Sequence, residues 1–462
     1  MKFSHQSGRS RSYARLRLGQ LGLALLITGC SGSDRAFLDQ LLEGLQEGHS
    51  GGAPPAGHGG GSPGPTPGEC RTFLTADDIY AQVAADLSSL DADDTIFTRY
   101  LSLADQANAE GCGSALDGAR AALNKLVNSL SIDASITTPE PIDVNQTLYR
   151  IDLRDYAWDR SVEVSGVAFA DGWEAIIASS PYAVPFVGAD ADDAVADTGT
   201  TVPLLFGDAF VAAASRAPLY YALLGVPDDI DAFLADDLGI DVDDATASAR
   251  FVGLAPNRAG REFLAERFEL QVRSGYAWQL SALGRRRGAP GERELVFTLP
   301  NGLLGHVVAE ANGPVKAASD VVLDPAEDDL RAKVAHSYMR EHAQGIGVIP
   351  PEAGLDAVLA QDRALVATAL ERAGLDIDAD PEPVSNTFVA FAADVDLATA
   401  AGELLLSAEE LRDNLALLDP TLGALDGGSV TRGLFEELYV ESLCELSVVL
   451  ENQPDPVVCS SR

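Results

Sequence analysis

The sequence predicts a helix-dominated α+β protein with a small antiparallel sheet. Three observations carry this expectation. Apolar residues recur at helical spacing through residues 75–130. Two segments, 148–153 and 295–310, carry strand alternation or strand–turn–strand punctuation. From Asp324 onward the pattern is helical almost throughout.

Each element follows in order. Thr75-Ala76-Asp77-Asp78 sets a hydroxyl three residues before an acid, which is a helix start, and predicts helices over 75–90 and 93–109. A third helix is expected over 114–130, capped by Ser114, with Leu116, Ala119, Leu123, Leu126, Val127 and Leu130 on its buried side. Leu148-Tyr149-Arg150-Ile151-Asp152-Leu153 alternates as a half-buried strand does. Residues 295–299 read as a strand, Pro300-Asn301-Gly302 as a turn, and 303–310 as the returning strand. Over 324–342, Asp324 is suited to cap a helix, Pro325 to its first position and Glu327 to a capping box. Leu330, Val334, Tyr338 and His342 then recur every four residues, Arg340 and His342 suit the C-terminal end of the dipole, and Gly345 suits a stop. Residues 394–415 predict two short helices broken near Leu406-Ser407, the second opening at Ser407-Ala408-Glu409-Glu410.

The N-terminus reads as an export signal. Lys2, Arg9, Arg11, Arg15 and Arg17 precede an apolar run over 21–27, with no acid before Cys30. That run is too short to span a bilayer, which takes about 20 apolar residues. Ile27-Thr28-Gly29-Cys30 looks like a lipobox, in which Cys30 is acylated and becomes the new N-terminus. Two or more acyl chains give stable anchoring, where one is marginal. By resemblance to lipoprotein sorting, Ser31 rather than Asp after the lipidated cysteine implies the outer membrane of a two-membrane bacterium, facing the periplasm or the surface. Residues 1–29 are therefore read as a signal peptide. Residues 30–69 are read as an anchor and Gly/Pro-rich tether, in which His49 and His58 are filler. The folded part is divided into an N-terminal helical and α+β region over 70–225, an α+β region with the small sheet over 226–320, a helical region over 321–383 and a C-terminal helical region over 384–462.

Loss of the five basic residues of the signal takes the formal charge from −38 to −43. Such a surface repels nucleic acid and anionic headgroups, so no nucleic-acid partner is expected. The cluster Arg285-Arg286-Arg287 is too short to argue otherwise. Of the five cysteines, Cys70, Cys112, Cys444 and Cys459 remain once Cys30 carries lipid. An even number in an oxidising compartment suggests two disulfides with three connectivities open; Cys70–Cys112 and Cys444–Cys459 are favoured because each closes a loop within one region.

Several blocks resemble a group of long bacterial c-type cytochrome-like proteins that carry a single CxxCH motif late in the chain. They begin with Thr98-Arg99-Tyr100-Leu101-Ser102-Leu103 and the stretch from Arg120 to Ser131. Tyr149-Arg150-Ile151-Asp152-Leu153-Arg154-Asp155-Tyr156-Ala157-Trp158, Ser215-Arg216-Ala217-Pro218-Leu219-Tyr220, Gly275-Tyr276-Ala277-Trp278 and Leu299-Pro300-Asn301-Gly302-Leu303 continue the series. The resemblance extends over about residues 73–440. It implies a cytochrome-c-like helical region at 321–383, with the haem-attachment sequence at Ser337-Tyr338-Met339-Arg340-Glu341-His342. There the motif is degenerate: Tyr338 and Glu341 stand at the two cysteine positions and only His342 matches. Covalent haem needs both thiols for its thioethers and the histidine as axial ligand. No haem is therefore expected. Non-covalent haem is the alternative, with His342, His306 and His336 as axial candidates.

Other chemistry is sparse. Zinc on the three histidines is disfavoured, because His336 and His342 are six apart on one segment. Asp376-Ile377-Asp378-Ala379-Asp380 looks like a calcium loop but has Pro381 where an EF-hand needs glycine, so a solvated acidic loop is expected, with weak calcium binding as the alternative. Asp190, Asp192, Asp193 and Asp197 form a similar cluster. There is no GxSxG, HExxH, GxxxxGK or dinucleotide fingerprint. The reading at this point is a lipid-anchored, non-catalytic structural or interaction protein on a cytochrome-derived scaffold. Its partners are the membrane, through Cys30, and an extracytoplasmic protein. An electron-transfer protein with non-covalent haem and a hydrolase remain the alternatives.

Overall fold

Two sheets of different kinds organise the chain. The computed structural model describes residues 73–241, 249–253, 263–283, 290–327, 329–346, 355–376, 378, 380, 382–448 and 453–460. The signal, Cys30, the tether, Cys70 and Arg285 to Arg287 lie outside them. The described residues all belong to one compact unit. No helix among the described residues is long and apolar enough to cross a membrane.

The first helix, Ala76–Leu87, starts as expected: Thr75 and Asp78 form a reciprocal capping box that satisfies two otherwise orphaned N–H groups. The single helix expected over 93–109 is absent. A one-turn helix, Ala92–Thr95, leads into the strand Thr98–Ser102, and a separate helix, Ala104–Glu110, follows. Thr98–Ser102 is buried at every position, so it shows neither strand alternation nor helical spacing in sequence. It lies inside a four-stranded sheet, antiparallel to Leu148–Asp152 and parallel to Leu204–Phe206, with Glu140–Pro141 on the outer side of Leu148–Asp152. The helix Ser114–Ser129 forms where expected, but Gly113 occupies the cap position and Ser114 is its first helical residue.

The second sheet is larger than the small sheet expected. Ala249–Gly253, Phe263–Glu269, Tyr276–Leu283, Pro290–Thr298, Leu304–Glu310 and Val315–Lys316 form a six-stranded antiparallel meander in which each strand pairs with the next in sequence. The strand–turn–strand read at 295–310 is its fourth-to-fifth connection, closing at Thr298 opposite Leu304 with Gly302 at φ 94°. The chain as a whole is α+β and helix-dominated.

Helices cover both sheets. Pro383–Phe391 packs on Ser114–Ser129 and on Gly207–Ala214, and Leu397–Glu403 packs on Ala104–Glu110. The last of these contacts depends on Gly402, because a Cβ there would run into the Asp105 carbonyl oxygen. A contiguous core of buried apolar side chains runs from Leu74 to Leu446 and includes Trp158, Trp173 and Trp278, all fully buried. The two short helices expected near 394–415 are present as Leu397–Glu403 and Ala408–Asn414, and Ser407 and Glu410 form the capping box. Cys444 and Cys459 are disulfide-bonded, closing a 15-residue separation at the end of the chain. Cys112 is also disulfide-bonded, while its expected partner Cys70 lies outside the described residues.

The long helix expected from Asp324 does not form. Ala318–Leu323 pairs with Arg331–Lys333 in a two-stranded ribbon, and helix begins only at His336–Glu341. Leu330 and Ala335 take positive φ, 58° and 71°, which no α-helix admits. The Asp324 carboxylate accepts from the Ala326 N–H at 3.0 Å, as a cap would, but the next turn is a reverse turn. Leu330 is left half exposed, so its four-residue spacing to Val334 was coincidental.

Candidate functional site

The structure separates the three histidines singled out in sequence. His336 opens its short helix and has partners different from those of the other two. Its ring stacks on Phe388 at 3.8 Å, its Nδ1 lies 3.2 Å from the Ser215 carbonyl and its Nε2 lies 2.7 Å from Glu327 Oε1. His306, on the fifth strand of the meander, and His342, just past the short helix, come together with near-parallel rings 5.7 Å apart. Both are buried, and Tyr338 lies about equally close to each.

Their electrostatic settings differ. His342 Nε2 is 2.7 Å from Glu294 Oε1. Burial alone lowers the His342 pKa, but the Glu294 hydrogen bond and charge reverse that and hold it above its ordinary value. His306 has no such carboxylate, and burial, with His342 and Lys125 adding to it, pushes its pKa well below the ordinary value. Lys125 is itself ion-paired to Glu382 deep in the interior.

The surroundings of these residues bear on the haem expectation. Tyr338 is fully buried and Glu341 faces solvent, at the two positions where the expected motif would place cysteines. His342 Nε2 is already bound to Glu294. The space shared by Lys125, His306, Met339 and His342 is about 20 Å³, the room of a single water molecule. A porphyrin does not fit among these side chains. Nor do the three imidazoles converge on one point, and no group of three or more His, Cys, Asp or Glu is placed to hold a metal among the described residues. Asp190, Asp192, Asp193 and Asp197 lie along the helix Ala189–Thr198. Asp376 Oδ1 accepts from the Asp378 N–H, and Asp380 Oδ1 accepts from the Glu382 N–H and from Asn386 Nδ2.

A larger cavity lies elsewhere. It is a cleft of about 250 Å³ between the helices Ala104–Glu110, Ser114–Ser129, Pro383–Phe391 and Leu397–Glu403. Its floor brings together Asp105, Asp208, Glu403 and Arg432, all nine-tenths buried or more. Arg432 is held by two of its nitrogens: Nη1 donates to both Glu403 oxygens at 2.8 Å and to Tyr182 Oη at 2.7 Å, and Nε donates to the Phe391 carbonyl at 2.6 Å. Asp208 Oδ1 accepts from the Ala209 N–H at 2.7 Å. Asp105 Oδ1 is buried and meets no N–H or hydroxyl donor, and the Asp105 carboxyl is hydrogen-bonded to Asp208. One guanidinium thus faces three acids.

Two of these acids are held up, first of all by burial. Burial holds the Glu403 carboxyl up at about 7, even with Arg432 alongside. Asp105 is raised well above the ordinary range by burial first, then by the neighbouring charges of Asp208 and Glu403. A carboxyl raised in the folded state contributes stability below its unfolded pKa and loses it as pH rises through the folded one. For Glu403 the window runs from 4.5 to about 7. The unfolding free energy of the native protein, measured relative to Glu403→Gln, is expected to fall by about 3 kcal/mol from pH 4.5 to roughly pH 8. Urea denaturation at a series of pH values reads this directly, and parallel curves for the two proteins would contradict it.

Sequence reasoning missed this floor. Its four residues come from four distant segments, and among 70 acids no carboxylate pair stands out. The bidentate partner of Arg432 carries no local signature either. In comparison with known proteins, the chain matches no family, no curated protein and no solved structure.

Proposed function

We propose that the mature chain is an extracytoplasmic lipoprotein of the outer membrane, held by lipid on Cys30, whose folded body is a haem-free structural or interaction module on a cytochrome-derived scaffold. The observation that carries the haem-free part is the engagement of His342 by Glu294, with the Tyr338 ring filling the core where the motif would need a thiol. A histidine committed to an internal carboxylate, beside a void of one water, acts as a packing and charge element. Anchoring rests on the order of basic start, apolar run and Ile27-Thr28-Gly29-Cys30. The high acidity suits a solvent-facing body that makes contact with protein partners rather than with nucleic acid.

The test is fractionation of cells that express the native chain or Cys30→Ser. The native protein is expected in the membrane fraction with an acylated N-terminal cysteine by mass spectrometry, and the variant is expected to lose the acyl mass and leave that fraction. A native chain that retains Met1, or that fractionates without lipid, would refute the anchored reading.

A further inference from the structure

We propose that the stacked pair of His306 and His342 is an acid-sensitive latch, in which a proton on His306 releases the His342 end of the short helix from the meander. The pair joins two elements. His306 lies on the strand Leu304–Glu310 and His342 closes the helix His336–Glu341, with the rings 5.7 Å apart and 14° from parallel. Both side chains are buried and border a void with room for one water. A neutral imidazole carries one N–H, whereas an imidazolium carries one on each ring nitrogen. His306 Nδ1 has no hydrogen-bond partner, so in the charged form its N–H is a buried donor without an acceptor.

No carboxylate around His306 is open to a second positive charge. Glu294, on the neighbouring strand, is bound to His342 Nε2. Glu292, two residues earlier on that strand, accepts from Lys316, Ser319 and the Asp320 N–H. Lys125, from the helix Ser114–Ser129, adds positive charge to the wall of the same void and is paired with Glu382. From the helix Leu219–Leu224, Tyr220 offers only its hydroxyl, which accepts from the His306 backbone N–H at 3.1 Å. On the short helix, burial keeps Tyr338 a neutral phenol, and Glu341 is exposed, where solvent screens it. The helix Leu355–Arg372 presents Val366 and Leu370 to this wall, and neither carries charge.

The fold also limits what moves. Ala335 and Gly345 take positive φ, 71° and 91°, on either side of the short helix, which sets it off as a unit of its own. His336 keeps separate anchors on Phe388, Glu327 and the Ser215 carbonyl. Release of the His342 end uncovers Tyr338 and Met339, both buried in the closed form. Burial, then His342 and Lys125, depress the His306 pKa, so the latch loses stability as pH falls below the ordinary value of 6.5. Burial lowers the His342 pKa, but Glu294 reverses that and raises it. Its contribution is therefore complete below 6.5 and lost as pH rises through the folded value. The latch is tightest near pH 6.5 and loosens on both sides.

The experiment is hydrogen–deuterium exchange of the full folded chain from about pH 5 to about pH 8, corrected for the intrinsic pH dependence of amide exchange. Protection of peptides covering 336–346 is expected to fall reversibly, by about tenfold per pH unit below about pH 6, while peptides covering 148–152 keep theirs. His306→Phe keeps an aromatic ring that takes no proton. It is expected to lose the acid limb and to keep the alkaline limb set by His342. Protection of 336–346 that stays flat on acidification, an acid limb that survives His306→Phe, or loss spread evenly over the whole chain would overturn the proposal. If His306→Phe does not fold, imidazole NMR of the native protein decides. His306 is expected to take its proton only as 336–346 opens, and titration at an ordinary midpoint with protection intact would refute the latch. The latch rests on the haem-free reading: a Soret band would remove both, whereas flat exchange would remove the latch alone.

Discussion

Asp362→Ala is expected to lower the unfolding free energy by about 3–5 kcal/mol, because it removes the buried carboxylate that binds Arg267 through two nitrogens and also accepts from Trp278. Asp362 sits on the helix Leu355–Arg372 and is 1% exposed. Its carboxylate accepts from Arg267 Nε at 2.9 Å and Nη2 at 2.8 Å, and from Trp278 Nε1 at 2.9 Å. Arg267 and Trp278 lie on the second and third strands of the meander, so this one carboxylate ties the covering helix to the sheet. The guanidinium also stacks over the Tyr276 ring, 5.2 Å from its centroid, which holds it in the interior once its counter-charge is gone. Glu269 also pairs with Arg267 Nη1, but its side chain is exposed and screened by solvent. Asp362→Asn keeps an acceptor for Trp278 and removes the charge, so its loss should fall between native and Ala. Urea unfolding followed by Trp fluorescence measures both variants. A loss below about 1 kcal/mol for Asp362→Ala would mean that the helix does not dock on the sheet as described.

Glu382→Ala is expected to cost a similar amount, about 3–5 kcal/mol, for the same reason at a second interface. Lys125 on Ser114–Ser129 and Glu382 at the start of Pro383–Phe391 pair with both side chains less than a tenth exposed. Glu382 also caps its own helix by accepting from the Ser385 N–H at 3.3 Å, so the variant loses a cap worth about 1 kcal/mol as well. The stranded ammonium would lie in the cavity wall it shares with His306 and His342. A buried ion pair is replaceable as a unit, since its own desolvation offsets much of its attraction. The double variant Lys125→Met with Glu382→Leu is therefore expected to recover most of the stability that Glu382→Ala loses. If the double variant is no better than the single one, the pair acts through something other than mutual neutralisation.

Legibility in sequence followed the range of the interactions. Thr75 and Ser407 were readable as caps because a capping box is closed within four residues. The turn at Pro300–Gly302 was readable because the strands on either side are neighbours in sequence. Thr98–Ser102 was not, because its place in a sheet is set by Leu204–Phe206, far along the chain, and by burial on both faces. The false helix at 324–342 shows the opposite failure. Its caps and spacing were locally consistent, yet Leu330 and Ala335 are bent into positive φ by the ribbon that Arg331–Lys333 makes with Ala318–Leu323, and neither residue type announces such a bend.

The histidines carry the same lesson. His306 and His342 were named separately as candidates, and nothing local revealed that the fold stacks them or supplies Glu294 to one of them alone. The floor of the cleft is more remote still, built from Asp105, Asp208, Glu403 and Arg432 on separate helices. Close approach of two of those helices turns on a single missing Cβ, at Gly402.

The visible absorbance spectrum of protein purified from its native cells tests the haem-free reading most directly. With His342 held by Glu294 and no thiol at 338 or 341, the spectrum should be featureless beyond the aromatic band, in the native protein and in His342→Ala alike. A Soret band that survives purification and shifts on His342→Ala would contradict that reading and restore an electron carrier in its place.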